Sequence, residues 1–282
     1  MFTIPLINRF TCSEKQLISV IKNLKRKNML PILDYVNEYN RDPMNNYYKM
    51  KDIINLYPGN KIAVKMSSLD IKNNHILATD LVNSLCEQAI KNKSQILIDA
   101  ENYDIQDKIN RVSNLMMKTH NKYDVNVFKT YQMYRRDMFY TLHSDFSNRK
   151  KFNEYYLGCK LVRGAYMKQD KKYDIIFSEK NKTDESYNKG IDCFRENYLE
   201  HDKLLLATHN SDSIDLALNL NHLGLLDNVE FSQLMGMSDK LSNKLAKDKK
   251  IVYKYVPFGT LYESLPYLVR RLYENLDILK NI

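Results

Sequence analysis

Short runs of apolar, β-favouring residues recur along the chain: PILDYV (31–36), KIAVKMS (61–67), SQILIDA (94–100), NVFKTYQ (126–132), YLGCKLVRG (156–164), KLLLATHN (203–210), VEFSQLMG (229–236) and VYKYVPFG (252–259). Between them lie longer segments with the length and periodicity of helices. One helix precedes all the runs. Ser13 and Gln16 form a capping-box pattern, and Leu17, Val20, Ile21 and Leu24 follow at helical spacing. Strand-like runs alternating with helices predict βα units with parallel pairing, and eight is a number that closes a barrel. An open doubly wound sheet is compatible with the same pattern, but no run is followed by the GxGxxG loop that marks its nucleotide-binding form. The expected fold is α/β: a (β/α)8 TIM-type barrel over residues 30–282, preceded by a helical segment over 1–29 and ending in a C-terminal helix. The longest polar stretch, Lys168 to Lys189, reads as a surface insertion or as a loop that folds over a ligand at the barrel mouth.

The length of 282 residues suits one barrel, which typically takes about 250. A 44% hydrophobic share is that of a globular protein with a sizeable core. No apolar run approaches the roughly 20 residues needed to cross a bilayer. The first residues, MFTIPLINRFTC, lack the basic flank and apolar core of a signal peptide. A cytoplasmic or peripherally membrane-associated protein is expected. Cys12, Cys86, Cys159 and Cys193 lie far apart without CxxC spacing, which points to reduced thiols and away from a metal site. Lys+Arg 43 against Asp+Glu 34 gives a net charge of +9. The lysines are scattered without a long basic tract, so nucleic acid is not indicated; peripheral contact with an anionic membrane is the functional reading that the charge retains.

Barrel chemistry comes from the carboxyl ends of the strands and the loops beyond them. Glu38 follows the first run and the second carries Lys65. Asp99 ends the third, Gln132 the fourth, Lys160 and Arg163 lie in the fifth, His209 and Asn210 end the sixth, and Tyr255 lies in the eighth. A lone charge at a strand end is commonly just solvated. Seven of the eight runs carry a polar group there, and burying each one unpaired would be costly, so a shared site explains them together.

The last helical segment points to an anion. Tyr267, Arg270, Arg271 and Glu274 are spaced i, i+3, i+4, i+7 and share one face. Pro266 suits a first helical turn and Ser264 an N-cap, so the arginines fall within the first two turns. Cations there oppose the helix macrodipole, and a carboxylate shared between the guanidinium forks and the helix N-terminus relieves the conflict. A solvated basic face pairing with Glu263 and Glu274 fits the same spacing.

At this point six strings come together in order: AVKMSSL (63–69), LIDAEN (97–102), KLVRGAY (160–166), ATHNS (207–211), FSQLMGM (231–237) and YVPFG…YLVRRLYEN (255–275). From LDYVNE (33–38) to Asn275 the chain resembles the proline dehydrogenases, FAD-dependent barrel enzymes that oxidise L-proline to Δ1-pyrroline-5-carboxylate. It resembles a compact monofunctional member, without the aldehyde-dehydrogenase module of bifunctional bacterial relatives. The resemblance implies that Arg270, Arg271 and Lys65 clamp the substrate carboxylate, with Glu38 pairing with Arg270 as a gate and Glu274 supporting the same helix face. It implies that Tyr255, Tyr267 and Leu234 pack on the pyrrolidine ring, that Tyr166 lines the pocket, and that Asp99 holds Lys65 and Tyr255. On the flavin side it implies Lys160 and Arg163 with the backbone of Gly164 and Ala165, and Gln132, Thr183, Tyr187, His209 and Asn210 around the ring, ribityl chain or phosphates. For His209 a satisfied core histidine is the alternative. Many family members have Arg where this chain has Lys160, which keeps a cation but loses the planar fork. Bacterial relatives often have Gln where this chain has Lys129, so hydrogen bonding to the flavin edge is expected to differ.

The implied reaction passes a hydride from the carbon beside the proline nitrogen to the flavin, with the protein supplying orientation. Implied partners are a quinone or other membrane electron acceptor and a separate pyrroline-5-carboxylate dehydrogenase; no metal is implied. Three rivals remain. A hydroxyproline dehydrogenase of the same superfamily tends to carry a smaller residue at the position of Tyr255. A Schiff-base lyase would use Lys65 as nucleophile. A degenerate barrel would bind without turnover.

Overall fold

The computed structural model describes residues 9–36, 42–152 and 155–259. Helix α1 (Glu14–Arg26) opens with Ser13 N–H donating to Gln16 Oε1 at 3.0 Å and buries Leu17, Ile21 and Leu24. Eight strands follow: β1 (Leu30–Tyr35), β2 (Lys61–Val64), β3 (Gln95–Ile98), β4 (Val127–Gln132), β5 (Gly158–Val162), β6 (Lys203–Ala207), β7 (Val229–Leu234) and β8 (Val252–Phe258). Between successive strands run α2 (Pro43–Leu56), α3 (His75–Lys91), α4 (Tyr103–His120), α5 (Met138–Phe152), the short α6 (Met167–Asp170) with α7 (Lys180–Asn197), α8 (Ser211–His222) and α9 (Asp239–Lys247). All eight apolar runs are strands. Every pairing is parallel, and β1 pairs with both β2 and β8, so the sheet is a closed barrel and the open-sheet alternative falls. The segment before α1 is tied to the barrel's carboxyl end: Cys12 forms a parallel bridge with Phe258, and Gly259 N–H donates to the Cys12 carbonyl at 3.2 Å.

Side chains alternate along each strand between the barrel interior and the helical layer. Ile32, Ala63, Leu97, Phe128 and Leu205 fill the interior with Tyr253 and Tyr255. The outward positions, among them Leu33, Val64, Ile98 and Leu204, join the larger cluster beneath the helices. At the amino end a buried ion pair, Lys61 with Glu230 at 2.8 Å, closes the interior, and the Lys61 ammonium lies over the rings of Phe128 (4.1 Å) and Tyr253 (4.9 Å). The carboxyl end carries the remaining inward charges.

The same alternation corrects one expectation. Lys129 does not face a flavin: its Nζ donates outward, to Asp145 Oδ2 of α5 at 2.6 Å and to Asn114 Oδ1 of α4 at 2.9 Å, and Tyr131 OH joins the same carboxylate at 2.8 Å. Phe128, one residue earlier, faces in, so Lys129 must face out.

The polar stretch from Lys168 to Lys189 is neither a free insertion nor a loop. Its second half is the start of α7, and its first half is pinned on the rim. Asp170 accepts from Tyr103 N–H at 2.9 Å and from Tyr134 OH at 2.5 Å, Phe177 N–H donates to the Tyr134 carbonyl at 3.0 Å, and the rings of Tyr103 and Tyr173 lie 4.5 Å apart.

Candidate active site at the carboxyl end of the barrel

Asp99, just beyond β3, is the hub of the inward charges. Its Oδ1 accepts from Lys160 Nζ of β5 at 2.7 Å, its Oδ2 accepts from Tyr255 OH of β8 at 2.6 Å, and Lys65 Nζ lies 3.9 Å from Oδ2. Burial opposes the Asp99 charge, but the ammoniums of Lys160 and Lys65 and the two hydrogen bonds outweigh it and hold the carboxyl below its ordinary range. The Lys160 ammonium also sits 4.6 Å from the centre of the Tyr255 ring, a cation–π contact that orients both. Leu234, paired in register with Tyr255, packs against the interior cluster and places an apolar wall beside the ring. The structure thus gathers Lys65, Asp99, Lys160, Tyr255 and Leu234 into one mouth. Asp99 thus bonds Tyr255 directly and stands beside Lys65.

Two carboxylates at this mouth went unseen in the sequence. Asp34, inward-facing on β1 and 0% exposed, accepts a hydrogen bond from Lys65 Nζ at Oδ1. Glu101 accepts from Ser67 N–H at 2.8 Å, which braces the turn directly after Lys65, and burial pushes its carboxyl above the ordinary range. An acid inside the first apolar run, at position 34, and one just past the third, at position 101, were the available signals.

A second cluster forms where β5 leaves the barrel. Arg163 donates from Nε to Asp184 (2.5 Å), from Nη1 to Thr208 Oγ1 (2.6 Å) and from Nη2 to Ser213 Oγ (3.0 Å), and its guanidinium stacks 4.5 Å over Tyr187. Burial disfavours the Asp184 charge, but hydrogen bonds from Lys180 and Arg163 keep its carboxyl below the usual range. Arg163 and Lys160 are three residues apart and diverge accordingly: Lys160 enters the barrel and Arg163 joins α7 and α8. Tyr187 is fully buried, with its OH on the Leu161 carbonyl at 3.2 Å, so it supports Arg163 from beneath and offers no open surface to a ligand. Thr183, one turn earlier on α7, is buried as well.

His209 Nδ1 pairs with Ser238 Oγ at 2.9 Å. Burial first, then the nearby Lys254 and Arg163 charges, pull its pKa down to about 4, so the ring is neutral at neutral pH. Asn210 caps α8, its Oδ1 accepting from Ser213 N–H at 2.9 Å. Gln132 faces the interior and donates to the Glu101 carbonyl at 3.0 Å, while its Oε1 is buried without a partner among the described residues. Gly164 holds φ +136°, and a Cβ there would overlap the Tyr134 ring at 1.7 Å, so the glycine is required by that close packing. Ala165 and Tyr166 follow it half-buried, with Tyr166 at the N-cap of α6. Glu38, Tyr267, Arg270, Arg271 and Glu274 lie outside the described residues.

A family model described as "Proline dehydrogenase" matches residues 17–282. The chain belongs to the proline dehydrogenase family. Proline dehydrogenase 1 of Dictyostelium discoideum is 37% identical over 213 residues, covering 70% of this chain and 36% of that protein. Its Drosophila melanogaster counterpart is 33% identical over 221 residues, covering 71% and 32%; both are described as mitochondrial. A hydroxyproline dehydrogenase of Xenopus laevis is 30% identical over 248 residues, covering 82% and 53%. The matched region is thus about a third of the length of the first two relatives. Among solved structures, proline utilization A from Bdellovibrio bacteriovorus superposes on 96% of this chain and 33% of its own, with TM-score 0.88 and 19% identity, a likeness of fold. Among the described residues no helix of this proline dehydrogenase family member is long and apolar enough to cross a membrane, and no group of three or more His, Cys, Asp or Glu residues could hold a metal ion.

Proposed function

We propose that this barrel oxidises L-proline to Δ1-pyrroline-5-carboxylate with FAD as the hydride acceptor. The observation that carries the reading is Lys65, held at the mouth by Asp34 and flanked by Asp99, which itself fixes Lys160 and Tyr255. A fixed ammonium beside an aromatic and aliphatic wall suits a small ring that bears one carboxylate. Lys65 would orient that carboxylate with Arg270 and Arg271, while Tyr255, Leu234, Tyr166 and Tyr267 would enclose the apolar ring. Glu38, Glu274 and Asp99 would support the clamp.

The inward residues fit a flavin. Gln132 Oε1 is a buried acceptor with no donor among the described residues, a lack that an N–H of the ring system would supply. Lys160 and Arg163 would offer cations to the flavin's electron-rich and phosphate groups, with Gly164, Ala165, His209 and Asn210 as further contacts. Thr183 and Tyr187 would act from beneath, through the helix that holds Arg163. A flavin bound there supplies the two-electron acceptor. Proline would bind with its amine neutral; as hydride leaves the ring carbon beside nitrogen the C–N double bond forms, and the nitrogen proton passes to water. The protein's share is orientation and the exclusion of water.

Against a Schiff-base lyase, Lys65 is an ammonium hydrogen-bonded to a buried carboxylate, a poor nucleophile. Against hydroxyproline, Tyr255 is a full aromatic ring locked in place by Asp99. Turnover of L-proline against trans-4-hydroxyproline tests this: proline is expected to be preferred, and preference for the hydroxylated ring would overturn the assignment.

A quinone or other membrane acceptor, and a separate pyrroline-5-carboxylate dehydrogenase to take the product, belong to the same reading. Peripheral contact with an anionic bilayer finds support at the barrel's amino end. Leu56, Tyr123, Leu223 and Ile251 stand 68%, 89%, 66% and 49% exposed where helices return to strands, with exposed Lys27, Lys93, Lys122 and Lys249 among them. Contact there leaves the mouth open to a water-soluble substrate.

A further inference from the structure

We propose that Asp34 is a positioning residue: it fixes the Lys65 ammonium for recognition of the substrate carboxylate and governs affinity more than the redox step. The inference rests on the proline reading above and assigns a role to a residue outside that set. Asp34 occupies an inward position of β1, two residues beyond Ile32 and on the same face. It is 0% exposed, with Oδ1 on Lys65 and Oδ2 buried without a partner among the described residues. A buried carboxylate with one oxygen unsatisfied weakens the fold, and an aliphatic side chain there would carry no such cost. Its presence is accounted for by what it does to Lys65.

The neighbouring groups define that effect. Among the described residues, Asp34 from β1 and Asp99 and Glu101 from beyond β3 stand around Lys65, with Lys160 from β5 and Tyr255 from β8 held on Asp99. Both Asp99 oxygens are engaged, by Lys160 at 2.7 Å and Tyr255 at 2.6 Å, and Lys65 stands 3.9 Å away. Without Asp34, Lys65 would fall toward Asp99 and compete with Lys160 for it. With Asp34, one N–H of the ammonium is committed to the barrel wall, and the Asp99 carboxylate 3.9 Å away draws the group to the same side, so the ammonium is held in one place. Within the quartet the two aspartates also balance the two lysines, so a substrate carboxylate meets a directed donor rather than a loose excess of charge.

The test uses the flavin-loaded protein with Asp34→Ala, Asp34→Asn and Asp34→Glu, each also combined with Lys65→Ala. The readouts are the dissociation constant of cyclopentanecarboxylate by calorimetry, and the KM and limiting rate of flavin reduction by proline. D34A is expected to weaken carboxylate binding by about tenfold or more, the equivalent of losing one well-placed hydrogen bond to a charged group. The loss in affinity should exceed the loss in limiting rate, and D34E should recover part of it. In the Lys65→Ala background D34A should add no further loss, since its effect runs through Lys65. If D34A does not fold, D34N, of the same size, carries the same comparison. Affinity within twofold of wild type, or an equal loss with and without Lys65, overturns the proposal. A wild-type protein whose flavin proline does not reduce overturns the functional reading and the substrate role together; a reducible wild type with unaltered D34A binding removes only the Asp34 assignment.

Discussion

Asp99→Asn removes one charge from the centre of the mouth while keeping the side chain's shape. In the wild type that carboxylate accepts from Lys160 at 2.7 Å and from Tyr255 OH at 2.6 Å, with Lys65 at 3.9 Å. Hydrogen bonds to a charged group contribute about 1.5–3 kcal/mol against about 1 kcal/mol for neutral ones, so two weakened bonds come to ~2–3 kcal/mol. Two ammoniums left beside a neutral amide add a repulsive contribution of the same sign. For a domain of this size that corresponds to a drop of about 5 °C or more in Tm. The pH dependence identifies the cause. The Asp99 carboxyl titrates below its ordinary 3.8 when folded, so its stabilisation is present above that value and is lost as pH falls through the folded one. Thermal melts of wild type and D99N from pH 7 to pH 2 should show a gap that holds above pH 3.8 and narrows below it. A gap that stays constant, or a D99N protein as stable as wild type, would refute the reasoning.

Lys129→Met should cost about 3 kcal/mol or more in denaturant unfolding, because it leaves the Asp145 charge in the helical layer without its ammonium, yet leave the spectrum of bound flavin unchanged; a shifted spectrum would put Lys129 back at the cofactor. His209 folds with a pKa of about 4 against an ordinary 6.5, so the unfolded chain holds the extra proton between those values. Stability is therefore lost as pH falls through that window, by up to about 3 kcal/mol; His209→Asn should flatten this part of the profile, and an unchanged slope would assign it to other groups. Arg163→Lys keeps the charge but cannot serve Asp184, Thr208 and Ser213 from one planar fork, and should weaken flavin retention by about tenfold, read as cofactor lost on dialysis; full retention would separate Arg163 from the cofactor.

The barrel was legible because its strands are buried on both faces: each appears as a short apolar run with helical periodicity on either side, and all eight fell where the runs stand. The site was legible in part. Lys65, Asp99, Lys160 and Tyr255 share one side of the barrel wall and meet there. Lys129 was misplaced because the resemblance was followed without strand parity: it stands three positions from Gln132, so the two side chains leave opposite faces of β4. The same odd spacing sends Arg163 away from Lys160. Asp34 and Glu101 were passed over because they sit inside or just past an apolar run, where an acid reads as an exception; their partners, Lys65 and the turn after it, follow β2, the strand that pairs with both β1 and β3. The polar stretch after Tyr166 was taken for a surface insertion or a loop because it holds only the first half of a helix, where Thr183, Ser186 and Tyr187 are the buried positions; the apolar Ile191, Cys193 and Phe194 follow beyond it.

The central claim, a flavin-dependent proline oxidation at the carboxyl end of this barrel, is tested most directly by the visible spectrum of the purified protein before and after anaerobic addition of L-proline. A flavin band that bleaches on proline alone is the predicted result. A flavin band indifferent to proline, or a colourless protein that takes up no added FAD, would contradict the account.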